Sequence, residues 1–168
     1  MLFNETSFSN LYKNIEMGFP TTKYRQHATH PIKIINFEWT PFIGMKTLFV
    51  RGIAESNDKE YSPMILFKRV NFTLSEDRKT STITSNGKKY FFEKLSLENN
   101  DVLVRCNCGD FKYRFSYYNK LGKSLYGTVT SKYESQGLRG PINPQKVSGL
   151  CKHCIKIFEV LNNSDMFK

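Results

Sequence analysis

All four cysteines of the chain lie in two short stretches, "VRCNCGDF" (residues 104–111) and "GLCKHC" (residues 149–154). One residue separates Cys106 from Cys108, and 42 residues separate Cys108 from Cys151. Disulfides are rare inside cells, where closely paired cysteines more often hold a metal ion. The pattern therefore predicts a metal site in which one ion binds both stretches and closes the long segment between them. This site would determine how the C-terminal part folds.

The second stretch offers three candidate ligands, Cys151, His153 and Cys154. If a helix begins near residue 151, Cys154 shares its apolar face with Phe158 and Leu161 and becomes a core residue. This favours a Cys3His zinc site, formed by Cys106, Cys108, Cys151 and His153. A four-cysteine site with Cys154 in place of His153 stays open, because Cys151 and Cys154 have the common C-x-x-C spacing.

A zinc ion with four protein ligands has no open position for water and is structural. The sequence also contains no glycine-rich phosphate loop, no H-E-x-x-H motif and no H-x-E of the zinc deaminases. We therefore expect one structural Zn²⁺, no catalytic residues and no small-molecule substrate. The sequence predicts a protein that is not an enzyme.

The 168-residue chain is strongly basic, with 25 Lys and Arg against 15 Asp and Glu and a formal net charge of +10. Residues 101–168 alone hold 11 basic and 5 acidic side chains. This balance favours a polyanionic partner such as nucleic acid, or an acidic protein face. The first residues, "MLFNETSFSN", do not form a signal peptide, and no segment reaches the roughly 18 apolar residues of a membrane span. We expect a soluble, intracellular protein without a membrane partner.

The periodicity predicts an α+β fold: a mainly antiparallel sheet or partial barrel, a short N-terminal helix, and a C-terminal zinc-clipped hairpin–loop–helix. Apolar residues at i, i+3, i+4 and i+7 from Phe8 to Ile15 predict the first helix. Asn86-Gly87 predicts a tight hairpin turn, and the last helix covers about residues 151–162. Three runs rich in Ile, Val and Phe predict strands: "IKIINFEW", "TLFVRGIA" and "SPMILFKRVNF".

Three regions follow from this pattern. Residues 1–30 are the N-terminal helix and a polar arm, residues 31–100 are β-rich, and residues 101–168 are the zinc module. The sequence marks no sharp boundary between the β-rich region and the zinc module, and we expect the three regions to share one core. Within the module, residues 119–149 lose periodicity and predict a long loop, which is uncommon unless something fixes it.

The segment "DVLVRCNCGDFKYRFSYY" (residues 101–118) predicts a second hairpin that turns near residues 109–110. A period of two would put the aromatic side chains on one face and the cations on the other. In the simpler interpretation the aromatic face packs in the core, and in the alternative it stacks nucleobases. The two sets are Phe111, Tyr113, Phe115 and Tyr117, and Lys112 and Arg114.

Basic residues of this hairpin, the long loop and the last helix are the candidate nucleic-acid contacts. They could reach phosphates without reading base sequence if the clipped loop folds back onto the hairpin. The candidates are Lys112, Arg114, Lys120, Lys123, Arg139, Lys146, Lys152 and Lys156.

The order C-x-C, long insert, C-x-H resembles the SWIM-type zinc finger, a Cys3His module. The wider set "CNCGDF", "RGPINP" and "GLCKH" is similar to SWIM-like proteins of tailed bacteriophages, over residues 102–160. The resemblance implies a nucleic-acid or protein interaction module rather than a catalytic one. Two departures are the insert of 42 residues, which is longer than in typical SWIM modules, and Cys154 as a rival ligand.

We therefore expect a non-enzymatic, zinc-stabilised structural or accessory protein of the phage type, which acts within a virion or nucleoprotein assembly and can touch DNA. Its partners would be other virion proteins, nucleic acid or both, in the host cytoplasm or in the particle. The alternative is a free nucleic-acid-binding accessory protein that contacts the phosphate backbone through the basic zinc module.

Overall fold

The computed structural model describes residues 6–19, 31–129, 131–134, 138 and 140–168. These residues form the predicted α+β fold, with two antiparallel sheets that do not close into a barrel. The predicted polar arm at residues 20–30 lies outside the described residues. The helices are α1 (Phe8–Gly18), a π-helical turn (Phe111–Phe115), α2 (Ser116–Leu121) and α3 (Lys152–Asn162), with a 3-10 turn at Ile43–Met45. The strands are β1 (Lys33–Phe42), β2 (Thr47–Ser56), β3 (Lys59–Tyr61), β4 (Met64–Phe67), β5 (Phe72–Thr73), β6 (Thr80–Ser85), β7 (Lys88–Glu93) and β8 (Val102–Arg105).

The larger sheet has the strand order β1-β2-β4-β8, and β3 also pairs with β2. Alternate residues of β2 point into the core, so that Leu48 and Val50 are completely buried. β8 pairs with β4, with Val104 opposite Ile65. The strand that leads directly into Cys106 is therefore hydrogen-bonded to the main sheet.

The smaller sheet has the order β5-β7-β6 and contains the predicted Asn86-Gly87 hairpin. Both turn residues have positive φ angles, 49° at Asn86 and 76° at Gly87. This is the backbone of a type I′ turn, whose twist matches that of the paired strands. The hairpin prediction is confirmed.

The helices cover the larger sheet and complete one core. Ser7 caps α1 by accepting a hydrogen bond from the Asn10 N–H, and α1 buries its predicted apolar stripe. Helix α3 packs on β1 and β2, where a Cβ at Gly52 would lie only 2.8 Å from Cδ1 of Ile157. The Phe8 and Phe158 rings stack with their centroids 3.5 Å apart and link the two helices. None of the helices in the described ranges is long and apolar enough to span a bilayer.

The prediction of a second hairpin over residues 101–118 is wrong, because the chain becomes helical after β8. Phe111 and Phe115 are 1% exposed, whereas Tyr113 between them is 47% exposed. Residues four apart share a face in a helix as well as in a strand, but residues two apart share a face only in a strand. The single aromatic face expected from the alternation therefore does not exist.

Candidate metal centre

Cys106, Cys108, Cys151 and His153 form one buried group in the structure. Their candidate ligand atoms all lie within 4.8 Å of one another, and Cys106 Sγ is 3.9 Å from His153 Nδ1. Each of the four residues is at most 4% exposed. The group could hold one metal ion, as the spacing in the sequence predicts.

The first cysteine pair is held by the end of β8 and the start of the helical segment. The Cys108 carbonyl accepts from the Lys112 N–H, and Cys108 Sγ accepts from the Phe111 N–H at 3.3 Å. Asn107, between the cysteines, accepts from the Ser62 N–H at 2.8 Å. This side chain ties the C-x-C turn to the segment that joins β3 and β4.

The second pair is positioned by the first turn of α3. Cys151 is the N-cap residue of this helix, with an extended backbone, and its carbonyl accepts from the Ile155 N–H. The free N–H groups of a first helical turn favour a thiolate. The His153 ring stacks on Tyr61 of β3, with centroids 4.2 Å apart. The main sheet therefore fixes the plane of the imidazole.

The thiols are protonated at neutral pH when no cation is bound. Burial raises the pKa of the Cys151 thiol. Contact with Cys106 lowers the pKa of the Cys108 thiol, but contact with Cys151 and burial raise it, to about 12. A metal ion must therefore displace protons from the sulfurs, and its affinity rises with pH.

The donor atoms lie near the spacing that a small tetrahedral ion requires. With a Zn–S bond of about 2.3 Å and a Zn–N bond of about 2.0–2.1 Å, a sulfur and a nitrogen ligand are roughly 3.6 Å apart. The separation of 3.9 Å between Cys106 Sγ and His153 Nδ1 is slightly longer, and all the candidate ligand atoms lie within 4.8 Å of one another. His153 Nε2 is buried and has no hydrogen-bond partner among the described residues. No hydrogen bond of this nitrogen therefore competes with metal binding by the imidazole.

Cys154 is completely buried next to the group, as its predicted place on the apolar face of the helix requires. Its Sγ lies 3.8 Å from the Arg105 carbonyl oxygen. Its thiol also interacts with those of Cys106 and Cys151. Cys154 is not a member of the four-residue group, but it lies close enough to remain the rival ligand.

The long loop folds back onto the π turn and α2 through buried asparagines. Asn119 of α2 donates to the Gly149 carbonyl at 3.0 Å and accepts from the Gly149 N–H at 2.7 Å. Asn143 donates to the Arg114 and Val147 carbonyls and accepts from the Val147 N–H. These asparagines, and Tyr61 against His153, were not identified from the sequence. Asn143 gave one local signal, since it precedes a proline in "INP".

The predicted nucleic-acid contacts differ in accessibility. The Arg114 side chain is only 17% exposed, 3.5 Å from Asp110, and its guanidinium carbon lies 5.4 Å from the Phe19 ring centroid. Lys156 pairs with Glu159 on α3 at 3.5 Å. Half-buried Lys152 is also on α3, and Arg139 lies outside the described residues. Four lysines are exposed near the folded-back loop: Lys112, Lys120, Lys123 and Lys146.

Comparison of the chain with protein-family models, with curated proteins and with solved structures finds no significant match. The resemblance to the SWIM-type finger therefore rests on the spacing of the four ligands and on the neighbouring "RGPINP" stretch. The structure is compatible with a zinc finger in its buried Cys3His group.

Proposed function

We propose that Cys106, Cys108, Cys151 and His153 bind one structural Zn²⁺. Three thiolates and an imidazole are the donors that zinc prefers, and four protein ligands leave no position for a reacting water. The ion would join the end of β8 to the start of α3 and so close the loop of 42 residues. This role is stabilising rather than catalytic.

The metal proposal is tested by the metal content of protein purified without added zinc, measured by mass spectrometry. We expect one zinc per chain in the wild type and in Cys154→Ser. His153→Ala and Cys108→Ser should both lose it. If Cys154→Ser loses the metal and His153→Ala keeps it, the ion is bound by four cysteines and our ligand assignment is wrong.

We also propose that the protein is a non-enzymatic component of a nucleoprotein assembly and contacts nucleic acid through the segment that the ion secures. The observation that carries this proposal is the position of the exposed lysines. Lys132 and Lys146 line one cleft on the folded-back loop, and exposed Lys112 lies beside it on the π turn. Lysines on a fixed backbone can contact phosphates without reading base sequence.

Salt dependence tests the contact with nucleic acid. Fluorescence anisotropy with labelled oligonucleotides should give an affinity that falls steeply with salt concentration, and each lysine lost should reduce the log–log slope by roughly 0.7–0.9. Lys146→Glu should weaken binding, whereas Lys88→Glu at the exposed end of β7 is the charge-matched control. Absence of binding at low salt, or an equal effect of both variants, contradicts the proposal.

A separate observation favours a role in assembly with other proteins. The end of β1 and the 3-10 turn that follows it present three apolar side chains to solvent, with Phe42 42%, Ile43 54% and Met45 74% exposed. Neighbouring exposed apolar residues are typical of a protein interface. With the resemblance to phage proteins, this supports a virion component as the second candidate. Met45→Asp should then abolish self-association or binding to an assembly partner in sedimentation experiments, without changing the affinity for oligonucleotides.

A further inference from the structure

The folded-back loop and the helical segment after β8 line a cleft of about 320 Å³. Its volume is at the lower end of the range for small-ligand pockets. Tyr113 and Tyr118 come from the helical segment, and Lys132, Tyr133 and Lys146 come from the loop. Glu134, Pro141, Ile142, Asn143 and Pro144 complete the lining.

The tyrosines of this cleft leave flat aromatic surfaces accessible to solvent. Tyr113 is 47% and Tyr133 46% exposed. Their ring centroids are 4.8 Å apart with an angle of 50° between the planes, so the two rings touch at a tilt and each keeps part of its surface accessible. Aromatic faces of this kind are what an unpaired nucleobase stacks on.

Cations lie directly beside the rings. Lys132 Nζ is 6.0 Å from the Tyr118 centroid, and Lys112 Nζ is 5.2 Å from the Tyr113 centroid. Lys146 adds a third positive charge, against one carboxylate at Glu134. An acidic peptide would satisfy the lysines but would leave the tyrosine faces unused, whereas a nucleotide uses both.

The cleft is held in shape before any ligand arrives. Asn143 is 3% exposed; its hydrogen bond to the Arg114 carbonyl joins the loop to the π turn, and its two hydrogen bonds with Val147 fix the loop itself. Pro141 and Pro144 on either side have fixed φ angles. A preformed cleft loses little conformational entropy when a ligand binds.

We propose that this cleft stacks an unpaired nucleobase on the exposed ring surface of the Tyr113–Tyr133 pair while Lys132 and Lys146 contact the flanking phosphates, so that the protein selects single-stranded over double-stranded nucleic acid. Bases in a duplex are stacked on each other and cannot enter the cleft. The proposal rests on the nucleic-acid contact proposed above, and adds to it the kind of strand that binds.

The test compares a labelled single strand of about 12 nucleotides with the corresponding duplex, using the full zinc-loaded chain. The single strand should bind at least about fivefold more tightly, and Tyr133→Leu or Tyr113→Leu should weaken it about 5- to 100-fold while leaving duplex binding unchanged. Tyr113→Phe and Tyr133→Phe keep the ring and should bind as the wild type does. Circular dichroism and zinc content establish that each variant is folded.

Three outcomes would overturn the inference. Equal affinity for single strand and duplex, with the leucine variants unchanged, means that only phosphates are contacted, and the proposed function survives without stacking. Displacement of the oligonucleotide by polyglutamate at equal charge concentration means that the cleft accepts an acidic protein instead. Absence of binding to either form of nucleic acid removes the proposed function itself.

Discussion

Replacing Asn119 with alanine should destabilise the protein strongly, although this side chain is not a metal ligand. Asn119 is completely buried in α2 and makes two hydrogen bonds to the backbone of Gly149, two residues before Cys151. It therefore holds the second cysteine stretch against the helical segment that follows the first. The asparagine and the metal ion secure the same two parts of the chain.

The size of the effect follows from the two hydrogen bonds. Alanine leaves the buried N–H and C=O of Gly149 without their partners, and each such loss costs about 1–2 kcal/mol. The free energy of unfolding should fall by about 2–4 kcal/mol in total. With a urea m-value of about 2 kcal/mol per M, the midpoint should move down by about 1–2 M. Because Gly149 lies two residues before the proposed ligand Cys151, the dissociation constant for zinc should also rise, by about 10- to 100-fold.

The assay is urea denaturation of zinc-loaded protein, followed by circular dichroism, together with competition for zinc against a chromophoric chelator. Asn162→Ala is the matched control, because Asn162 is exposed at the end of α3 and its loss should cost less than about 0.5 kcal/mol. If Asn119→Ala unfolds within about 0.3 M of the wild-type midpoint, the coupling between this asparagine and the second cysteine stretch is refuted.

Three further predictions concern the same region. Gly149→Ala should cost about 1–3 kcal/mol in urea denaturation, because its Cβ would lie 2.7 Å from a ring carbon of Phe115; an unchanged midpoint would contradict this packing. In chelated protein the raised pKa of Cys108 means that the native state holds a proton that the unfolded state releases, so stability should fall between pH 9 and about 12, by up to about 1.4 kcal/mol per pH unit. The pKa values of Cys106, Cys151 and Cys154 are raised as well, so in thermal melts of chelated protein Cys108→Ser should show a smaller loss than the wild type, but not its absence. Chelation should also accelerate tryptic cleavage after Lys146 at least about tenfold, which corresponds to a decrease of about 1.4 kcal/mol in the free energy of local opening of the loop. An unchanged rate would show that the ion does not secure this loop.

Local signals in the sequence predicted much of the fold. The Asn86-Gly87 turn depends only on backbone angles that few residues adopt, and it was predicted correctly. The apolar stripe from Phe8 to Ile15 likewise predicted α1, because its spacing of i, i+3, i+4 and i+7 fits the period of a helix and not that of a strand. The Cys3His group was predicted from side-chain chemistry, without knowledge of the path of the chain between the ligands.

The helical segment after β8 was missed because its buried residues fit both periods. Phe111 and Phe115 are four residues apart, a spacing that both a strand and a helix place on one face. The deciding contacts come from distant parts of the chain, including the bonds between Asn119 and Gly149 and the stack of Tyr61 on His153. Such contacts have no periodicity along the chain, so a single sequence does not predict them.

The π turn at Phe111–Phe115 has a consequence for which changes of length the chain can accept. A π turn contains one residue more than an α-helical turn, and each residue of an α-helix rotates the next by roughly 100°. Deleting one residue within the turn would therefore restore a regular α-helical turn and leave the residues after it, including Asn119, in nearly the same orientation relative to Cys108. Deleting one residue of α2 before Asn119 would instead rotate this side chain by roughly 100°, away from Gly149. A one-residue deletion should thus be much less harmful in the π turn than between the turn and Asn119.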